Sequence, residues 1–203
     1  MIQTQSKSLT FEEFLNLYPE DGGIYELING EIVAMNPSGK HEEIIAFIVA
    51  ELNLEIRRQQ LPYFLPRSCT IKPTTPNTGY KPDIAVINRP MIVNEPLWAK
   101  SSTIIKGESI ALVMEVVSSN WRNDYGHKLI DYEALGITEY WIIDYLGLGG
   151  KRYIGSPKQP TITIYQLIDD EYQAQQFREN EQVTSVIFPQ LTLTTQQIFQ
   201  AVN

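Results

Sequence analysis

The segment Ile110–Val117 (IALVMEVV) constrains the fold more than any other part of the chain. Seven of its eight residues are apolar, and Glu115 is the only charged one. An unbroken apolar strand of this kind is typical of the centre of a sheet that is covered on both faces. The sequence therefore predicts a layered α/β fold in which other elements cover both sides of a sheet.

The patterns around this segment follow the order helix, strand, strand, strand, helix, strand. Apolar residues recur every three or four positions in both helical stretches, and Gly136 ends the second. The predicted elements are a helix at 41–58, strands at 63–72, 83–87 and 110–117, a helix at 123–135 and a strand at 139–144. This order predicts an α/β sandwich around a mixed central sheet.

Shorter elements precede the core. Residues 9–17 are typical of an amphipathic helix, with Thr10 as its N-cap and Glu13 completing a capping box. Residues 25–35 predict a β-hairpin, because the Asn29-Gly30 dipeptide suits a tight turn in which both residues have positive φ.

Other short elements follow the core. Residues 161–167 and 172–177 alternate like an exposed hairpin, 185–193 suggests a last strand, and 194–202 suggests a terminal helix. No linker or repeat interrupts the chain. We therefore expect a single domain over residues 1–203, made of an N-terminal helix and hairpin (9–35), a core (38–146) and a C-terminal hairpin and helix (151–203).

The charge balance excludes a protein that coats nucleic acid indiscriminately. Sixteen basic and 24 acidic residues give a net charge of −8, which repels phosphate backbones. Residues 57–128 differ from the whole chain in having a basic excess, with ten basic and five acidic residues. Trimmed to residues 61–130, the basic excess falls to three, so this asymmetry is weak.

Cysteine content and hydropathy favour a protein of a reducing compartment. The single cysteine, Cys69, excludes an intrachain disulfide. Residues 1–10 lack the apolar stretch of a secretory signal, and no apolar run approaches the length of a membrane-spanning helix. We expect a soluble, cytoplasmic protein.

Glu115 and Asp83 are the first candidates for chemistry. A carboxylate in an apolar strand is costly to bury unless it is paired, protonated or bound to a metal, although Glu115 can also emerge into water at the end of its strand. Asp83 follows a proline, where an aspartate is often only a turn or cap residue. Together, carboxylates on two adjacent strands form the oxygen-rich half-shell that Mg²⁺ prefers.

Lys128 is the third candidate. It lies three residues after Tyr125 and four before Tyr132, within the apolar stripe of the second helix, so it is predicted to project toward the sheet. Alternatively, its side chain extends to water or pairs with Asp124. An inward Lys128 would place an ammonium over the Glu115 carboxylate.

These residues belong to a longer ordered series of motifs. The series comprises YELINGE (25–31), His41 at the first long helix, KPDIAV (81–86), EVVS (115–118), Lys128-Leu129 with Tyr132, EYWIID (139–144) and VIFPQLTL (186–193). Over nearly the whole chain it resembles the Uma-two family of restriction-endonuclease-like proteins, within the PD-(D/E)XK nuclease superfamily. The resemblance implies an αβββαβ core with a mixed central sheet and added N- and C-terminal hairpins, and a metal-dependent endonuclease that hydrolyses phosphodiester bonds in DNA.

The resemblance also implies roles for particular residues. Asp83 and Glu115 would hold Mg²⁺ or Mn²⁺, and Lys128 would orient the attacking water and offset developing negative charge. Glu31 or His41 would complete the site, unless Glu31 is a solvated turn carboxylate and His41 a helix-start histidine.

The chain departs from the superfamily pattern at two points. The usual lysine would stand at Val117, two residues after Glu115, and the resemblance moves its role to Lys128. The family's frequent Ser-Pro-Ser is replaced by Ser118-Ser119-Asn120.

Two other functions fit the same residues. The acidic surface and the lack of a recognisable DNA-reading element fit a non-catalytic binding or regulatory module on a nuclease-like scaffold. Paired carboxylates also occur in enzymes that hydrolyse sugars, which do not require an inward lysine. The family resemblance and the sheet edges near Tyr25 and Thr161 further predict a homodimer.

Overall fold

The computed structural model describes residues 8–202 of the protein and contains a mixed sheet of six strands. In chain order the helices and strands are α1 (Phe11–Asn16), β1 (Ile24–Ile28), β2 (Glu31–Met35), α2 (Gly39–Gln59), β3 (Tyr63–Phe64), β4 (Thr70–Ile71), β5 (Ile84–Asn88), α3 (Trp98–Ser101), β6 (Thr103–Ile104), β7 (Ile110–Val116), a π-helical segment (Asn123–Lys128) continued by α4 (Leu129–Ala134), β8 (Glu139–Asp144), α5 (Lys151–Ile154), β9 (Thr161–Ile168), β10 (Glu171–Phe177) and α6 (Thr195–Gln200). Single 3₁₀ turns occupy Ile92–Asn94 and Gly107–Ser109.

The order across the sheet is β10-β9-β8-β7-β5-β3. Strands β7 and β8 are parallel and are joined by the helix between them, whereas the other neighbouring pairs are antiparallel. This arrangement confirms the predicted mixed α/β fold, with β7 as a fully buried central strand.

Alternation along the strands divides the core into two layers. Leu112, Met114 and Val116 of β7 pack on the α2 side of the sheet, in one cluster with Ile44 and Ile48. The residues between them face the opposite side, where Val113 and Val117 cluster with Tyr125 and Tyr132. Because side chains alternate with a period of two, Glu115 points to the same side as Val113, toward the helix that follows β7.

The hairpin β1–β2 lies against the connection between β4 and β5 instead of extending the main sheet. Leu27 and Gly79 exchange two backbone hydrogen bonds, of 2.9 and 2.8 Å. Asn29 and Gly30 both have positive φ, as the predicted turn requires. Both backbone bonds hold β1 beside Lys81 and Asp83, and this fixes the position of Glu26.

Both terminal helices begin as the sequence predicts. Thr10 with Glu13, and Thr194 with Gln197, form complete capping boxes at the start of α1 and α6. The long helix α2 begins after Ser38, whose hydroxyl accepts a hydrogen bond from the backbone of His41.

The C-terminal third of the chain differs from the sequence prediction in two ways. The predicted hairpin forms from β9 and β10, but only β10 is exposed, because β9 lies between β8 and β10 in the main sheet and its first five residues are buried. Thr161 therefore offers no free edge, and β10 is the edge strand instead. Residues 185–193 form no strand, since Phe188, Leu191 and Leu193 anchor this loop in the core on the α2 side.

Two other segments also depart from the prediction. The strand predicted at 63–72 is two short pieces, of which β3 joins the main sheet and β4 pairs with β6. The second helix starts with a π-helical segment, a rare form that is frequent at functional sites. Within residues 8–202, no helix combines the length and the hydropathy needed to cross a membrane.

Gly107 provides a test of how tightly the loop before β7 packs on the end of α4. A Cβ at this position would overlap the backbone carbonyl oxygen of Leu135 and lie 2.8 Å from its carbonyl carbon. We expect Gly107→Ala to lower the free energy of unfolding by about 1–3 kcal/mol in urea denaturation. Gly39→Ala is the matched control, because a Cβ there meets nothing within 4 Å. Equal stability of the two variants would contradict this packing.

Candidate functional site

Glu115 is buried, with 2% of its surface exposed, and it faces the helix that follows β7. Its Oε1 accepts hydrogen bonds from Lys128 Nζ and from the Tyr132 hydroxyl, both at 3.0 Å. Burial raises the pKa of Glu115 well above its ordinary value, the ammonium of Lys128 opposes this, and nearby carboxylates add to the rise. The solvated alternative for Glu115 is thereby excluded.

Lys128 is equally buried, with 1% of its surface exposed. Its Nζ lies 3.0 Å from both Glu26 Oε1 and Glu115 Oε1, and 3.8 Å from Asp124 Oδ1. Burial lowers the pKa of Lys128, but the surrounding carboxylates outweigh it and leave the pKa well above its ordinary value. Lys128 is therefore a fixed cation at neutral pH, and it projects inward as the helical stripe predicted.

Glu26 is a site residue that sequence reasoning missed. Its Oε1 accepts hydrogen bonds from Lys128 Nζ and from the backbone N–H of Lys81 at 2.9 Å, and its Oε2 is buried without a partner among the described residues. The sequence carries one signal, since Glu26 is the only charged residue of the strand Ile24–Ile28. That signal matches the one by which Glu115 stands out in its own strand.

Asp83 and His41 meet at the end of β7. Asp83 Oδ2 accepts a hydrogen bond of 2.7 Å from the backbone N–H of Val116 and lies 3.1 Å from His41 Nε2. The same His41 nitrogen lies 3.1 Å from the Val116 carbonyl oxygen, so it carries a proton that it donates to these acceptors. Burial lowers the pKa of His41, but the hydrogen bond and charge of Asp83 leave it above the ordinary value.

Glu31, the alternative candidate from the hairpin, is not brought to this place. It is exposed at the start of β2 and pairs with Ile28 next to the turn. Asp124, which the sequence analysis considered only as a partner of Lys128, is buried beside it, and burial raises the pKa of Asp124 to about 6.

A cleft of about 490 Å³ collects these groups. It lies between β1, the start of α2, the ends of β5 and β7, and the π-helical segment. Acidic residues outnumber lysines and arginines in its lining by five to three. The acidic members are Glu26, Glu42, Asp83, Glu115 and Asp124, and the basic members are Arg67, Lys81 and Lys128. An excess of carboxylate in a partly enclosed cleft favours a bound cation over a bound anion.

The donor chemistry of Asp83 and Glu115 suits a hard cation. Within residues 8–202, no three His, Cys, Asp or Glu side chains are already arranged around a common metal position. However, the second carboxylate oxygen of Asp83 and that of Glu115 form no hydrogen bond with the described residues, and both residues line the cleft. Mg²⁺ commonly binds to one or two protein carboxylates and keeps several waters, so the donor chemistry of these two residues fits such an ion.

The structure defines a mixed α/β protein with an acidic cleft at the end of its central strand. A solved structure described as "a putative nuclease belonging to DUF820 from Anabaena variabilis ATCC 29413" superimposes with a TM-score of 0.71. The similarity covers 96% of this chain and 99% of that one. At 22% sequence identity the likeness establishes the fold alone.

The chain belongs to the Uma2 family, whose model is described as "Putative restriction endonuclease" and matches residues 11–196. No curated protein matches the sequence. Membership of the family confirms the resemblance that the ordered motifs predicted.

Removing Lys128 tests the balance of charge in the cleft. The variant Lys128→Met leaves Glu26 and Glu115 buried without their cation, and breaking a buried ion pair from one side costs about 3–5 kcal/mol. We expect a loss of this size in the free energy of unfolding. Lys100→Met, at an exposed position on α3, is the control and should be close to neutral. A Lys128→Met protein as stable as this control would contradict the buried network.

Proposed function

We propose that this protein is a metal-dependent endonuclease that hydrolyses phosphodiester bonds in DNA. One observation carries the proposal: Asp83, Glu115 and Lys128, distant in the sequence, line the same cleft. Family membership and the shared fold support the choice of reaction.

Asp83 and Glu115 are the proposed ligands of a Mg²⁺ or Mn²⁺ ion. A bound divalent cation supplies polarisation of the phosphate and a lowered pKa for a bound water. The backbone N–H of Val116 and the ring of His41 fix one oxygen of Asp83. In the same way, Lys128 and Tyr132 fix one oxygen of Glu115. Each carboxylate is thus held in place with its other oxygen available.

Lys128 is proposed to act as a fixed positive charge. Its ammonium contacts both Glu26 and Glu115 at 3.0 Å, and two neighbouring carboxylates favour the charged form of a lysine. It would orient the attacking water and offset the negative charge that develops on the phosphate. Glu26 is a positioning residue in this scheme, since its Oε1 holds the ammonium at 3.0 Å.

His41 is proposed to be a second positioning residue. It contacts both the Asp83 carboxylate and the Val116 carbonyl, so it connects the first turn of α2 to the ends of β5 and β7. Loss of the ring would free Asp83 to rotate while leaving its charge in place.

Asp83→Asn and Glu115→Gln test the proposed ligands. Each change removes a carboxylate charge with little change of volume, so we expect Mg²⁺-dependent cleavage of DNA to fall by about two orders of magnitude or more. The measurement is a single-turnover cleavage assay, with circular dichroism to verify the fold.

Glu43→Gln is the matched control for this experiment. Glu43 is an exposed carboxylate on α2 that does not line the cleft. The Glu43→Gln variant should cleave DNA at the same rate as the unaltered protein. Full activity in both Asp83→Asn and Glu115→Gln would refute the proposed site.

A non-catalytic binding module remains the second candidate, and the position of Lys128 favours it. The ammonium already pairs with both Glu26 and Glu115 and offsets one of their two negative charges without any metal ion. A thermal shift with Mn²⁺ separates the two functions, because a ligand that binds only the folded state raises the melting temperature. We expect a rise for the unaltered protein and a smaller one or none for Glu115→Gln. No response in either protein would favour the module.

A further inference from the structure

A second pocket, of about 430 Å³, lies beside the cleft and has a different chemistry. Its lining contains two aromatic rings, two glycines and three basic side chains. The aromatic residues are Trp121 and Tyr153, the glycines Gly126 and Gly150, and the basic residues Arg122, Lys151 and Arg152. Among residues 8–202 no acidic side chain lines it, although the chain as a whole carries a net charge of −8.

The aromatic wall of this pocket is held rigidly. The ring of Tyr153 stacks on buried Tyr125 at a centroid distance of 4.7 Å, and Trp121 meets both rings edge-on. Gly150 allows this packing, because a Cβ there would lie 3.0 Å from the Trp121 ring. Trp121 and Tyr153 are each only partly buried, so they present rigid ring surface to the pocket.

The basic rim is not neutralised by acidic neighbours. Arg122, Lys151 and Arg152 are exposed, and none of them takes part in an ion pair within residues 8–202. The guanidinium of Arg122 instead lies 4.6 Å from the centroid of the Trp121 ring, and that of Arg152 lies 4.4 Å from the centroid of Tyr153. Flat cations stacked on flat rings mark surfaces on which another planar group can stack.

The pocket adjoins the proposed active site along a single segment of chain. Asn120 and Asn123 line the cleft, whereas Trp121 and Arg122 between them line the pocket. Consecutive Cα atoms are about 3.8 Å apart, so one short stretch of backbone contributes residues to both openings. A polymer with one phosphate in the cleft can therefore reach the pocket with a neighbouring unit.

We propose that the pocket binds an unpaired nucleotide of a single DNA strand, next to the phosphate held in the cleft. The base stacks on Trp121 in the place of the Arg122 guanidinium, and the three basic side chains bind the adjoining backbone phosphates. Proteins that hold single strands combine aromatic stacking surfaces with a positive groove in this way. The inference rests on the proposed nuclease function for the reaction and adds single-stranded or locally opened DNA as its substrate.

Binding is measured without cleavage, in a chelating buffer that removes divalent ions. The probe is a short fluorescein-labelled oligothymidylate, titrated with the full chain and followed by fluorescence anisotropy. Loss of one stacking ring weakens single-strand binding by about tenfold or more, and we expect this loss for Trp121→Ala. Its far-ultraviolet circular dichroism and thermal melt verify the fold.

Gly126→Leu is the second variant, in case Trp121→Ala does not fold. Gly126 lines the pocket and a Cβ on it meets nothing within 4 Å, so a leucine side chain can begin there without a clash and occupy part of the pocket. We expect the same loss of affinity with an unchanged or higher melting temperature. Arg89→Ala is the matched control, because Arg89 is exposed and lies over the Phe64 ring at 4.6 Å, far along the sheet from the pocket.

The results separate this inference from the proposed function. Weaker oligothymidylate binding in Gly126→Leu and unchanged binding in Arg89→Ala support the pocket, whether or not the protein cleaves DNA with Mg²⁺ added. Equal affinity of Gly126→Leu and the unaltered protein, no binding at all, or tighter binding of a matched duplex would overturn the pocket. The proposed nuclease function would not be affected by any of those results, because it is tested separately by the loss of cleavage in Asp83→Asn and Glu115→Gln.

Discussion

The buried ammonium of Lys128 is the interaction on which the arrangement of the cleft depends. It joins Glu26 of the N-terminal hairpin to Glu115 of the central strand, and it comes from the π-helical segment that follows that strand. Each charge would be costly to bury alone, and their mutual contacts offset this cost without adding much to stability. Burying this cluster of charges costs desolvation free energy that its contacts do not clearly repay in stability. A functional role for the cluster explains its burial better than a stabilising role does.

Two features of the cleft follow from this cluster. Because Lys128 and Tyr132 hold only Oε1 of Glu115, and Val116 and His41 hold only Oδ2 of Asp83, both carboxylates are oriented with an oxygen to spare. The acidic excess of the lining attracts a cation, whereas a bare phosphate would be repelled. The neighbouring basic and aromatic pocket has the opposite charge, so nucleic acid would approach from that side. In the proposed function, the cleft would hold the metal ion and the neighbouring pocket would hold the strand.

The sequence predicted the parts of the site that depend on local patterns. Glu115 stands out as a charge in an apolar strand, Asp83 opens the preceding strand, and the helical spacing of Tyr125 and Tyr132 turns Lys128 inward. Glu26 was missed because its role depends on where the hairpin docks, and the backbone bonds between Leu27 and Gly79 that decide this leave no periodic signal. A hairpin can be recognised from the residues of its turn, but the surface on which it packs cannot be recognised from the sequence.

The other differences have similar physical causes. The π-helical segment does not show in an apolar stripe, because its shifted hydrogen bonds change the backbone without changing which residues are apolar. The loop 185–193 contains the apolar residues of a strand, yet Phe188, Leu191 and Leu193 enter the core without pairing to the sheet. Strand β9 looked half-exposed by its alternating threonines, but Thr161 and Thr163 are buried as well. Polar residues at alternate positions of a short strand are therefore poor evidence that one face of the strand is exposed to solvent.

The most direct test of this account is anomalous X-ray scattering from a crystal of the protein soaked with Mn²⁺. The account predicts a manganese peak in the cleft, within coordination distance of one oxygen of Asp83 and one of Glu115, with Lys128 still contacting Glu115. A peak elsewhere on the protein, or a cleft without manganese while both carboxylates stay in their present contacts, would contradict it.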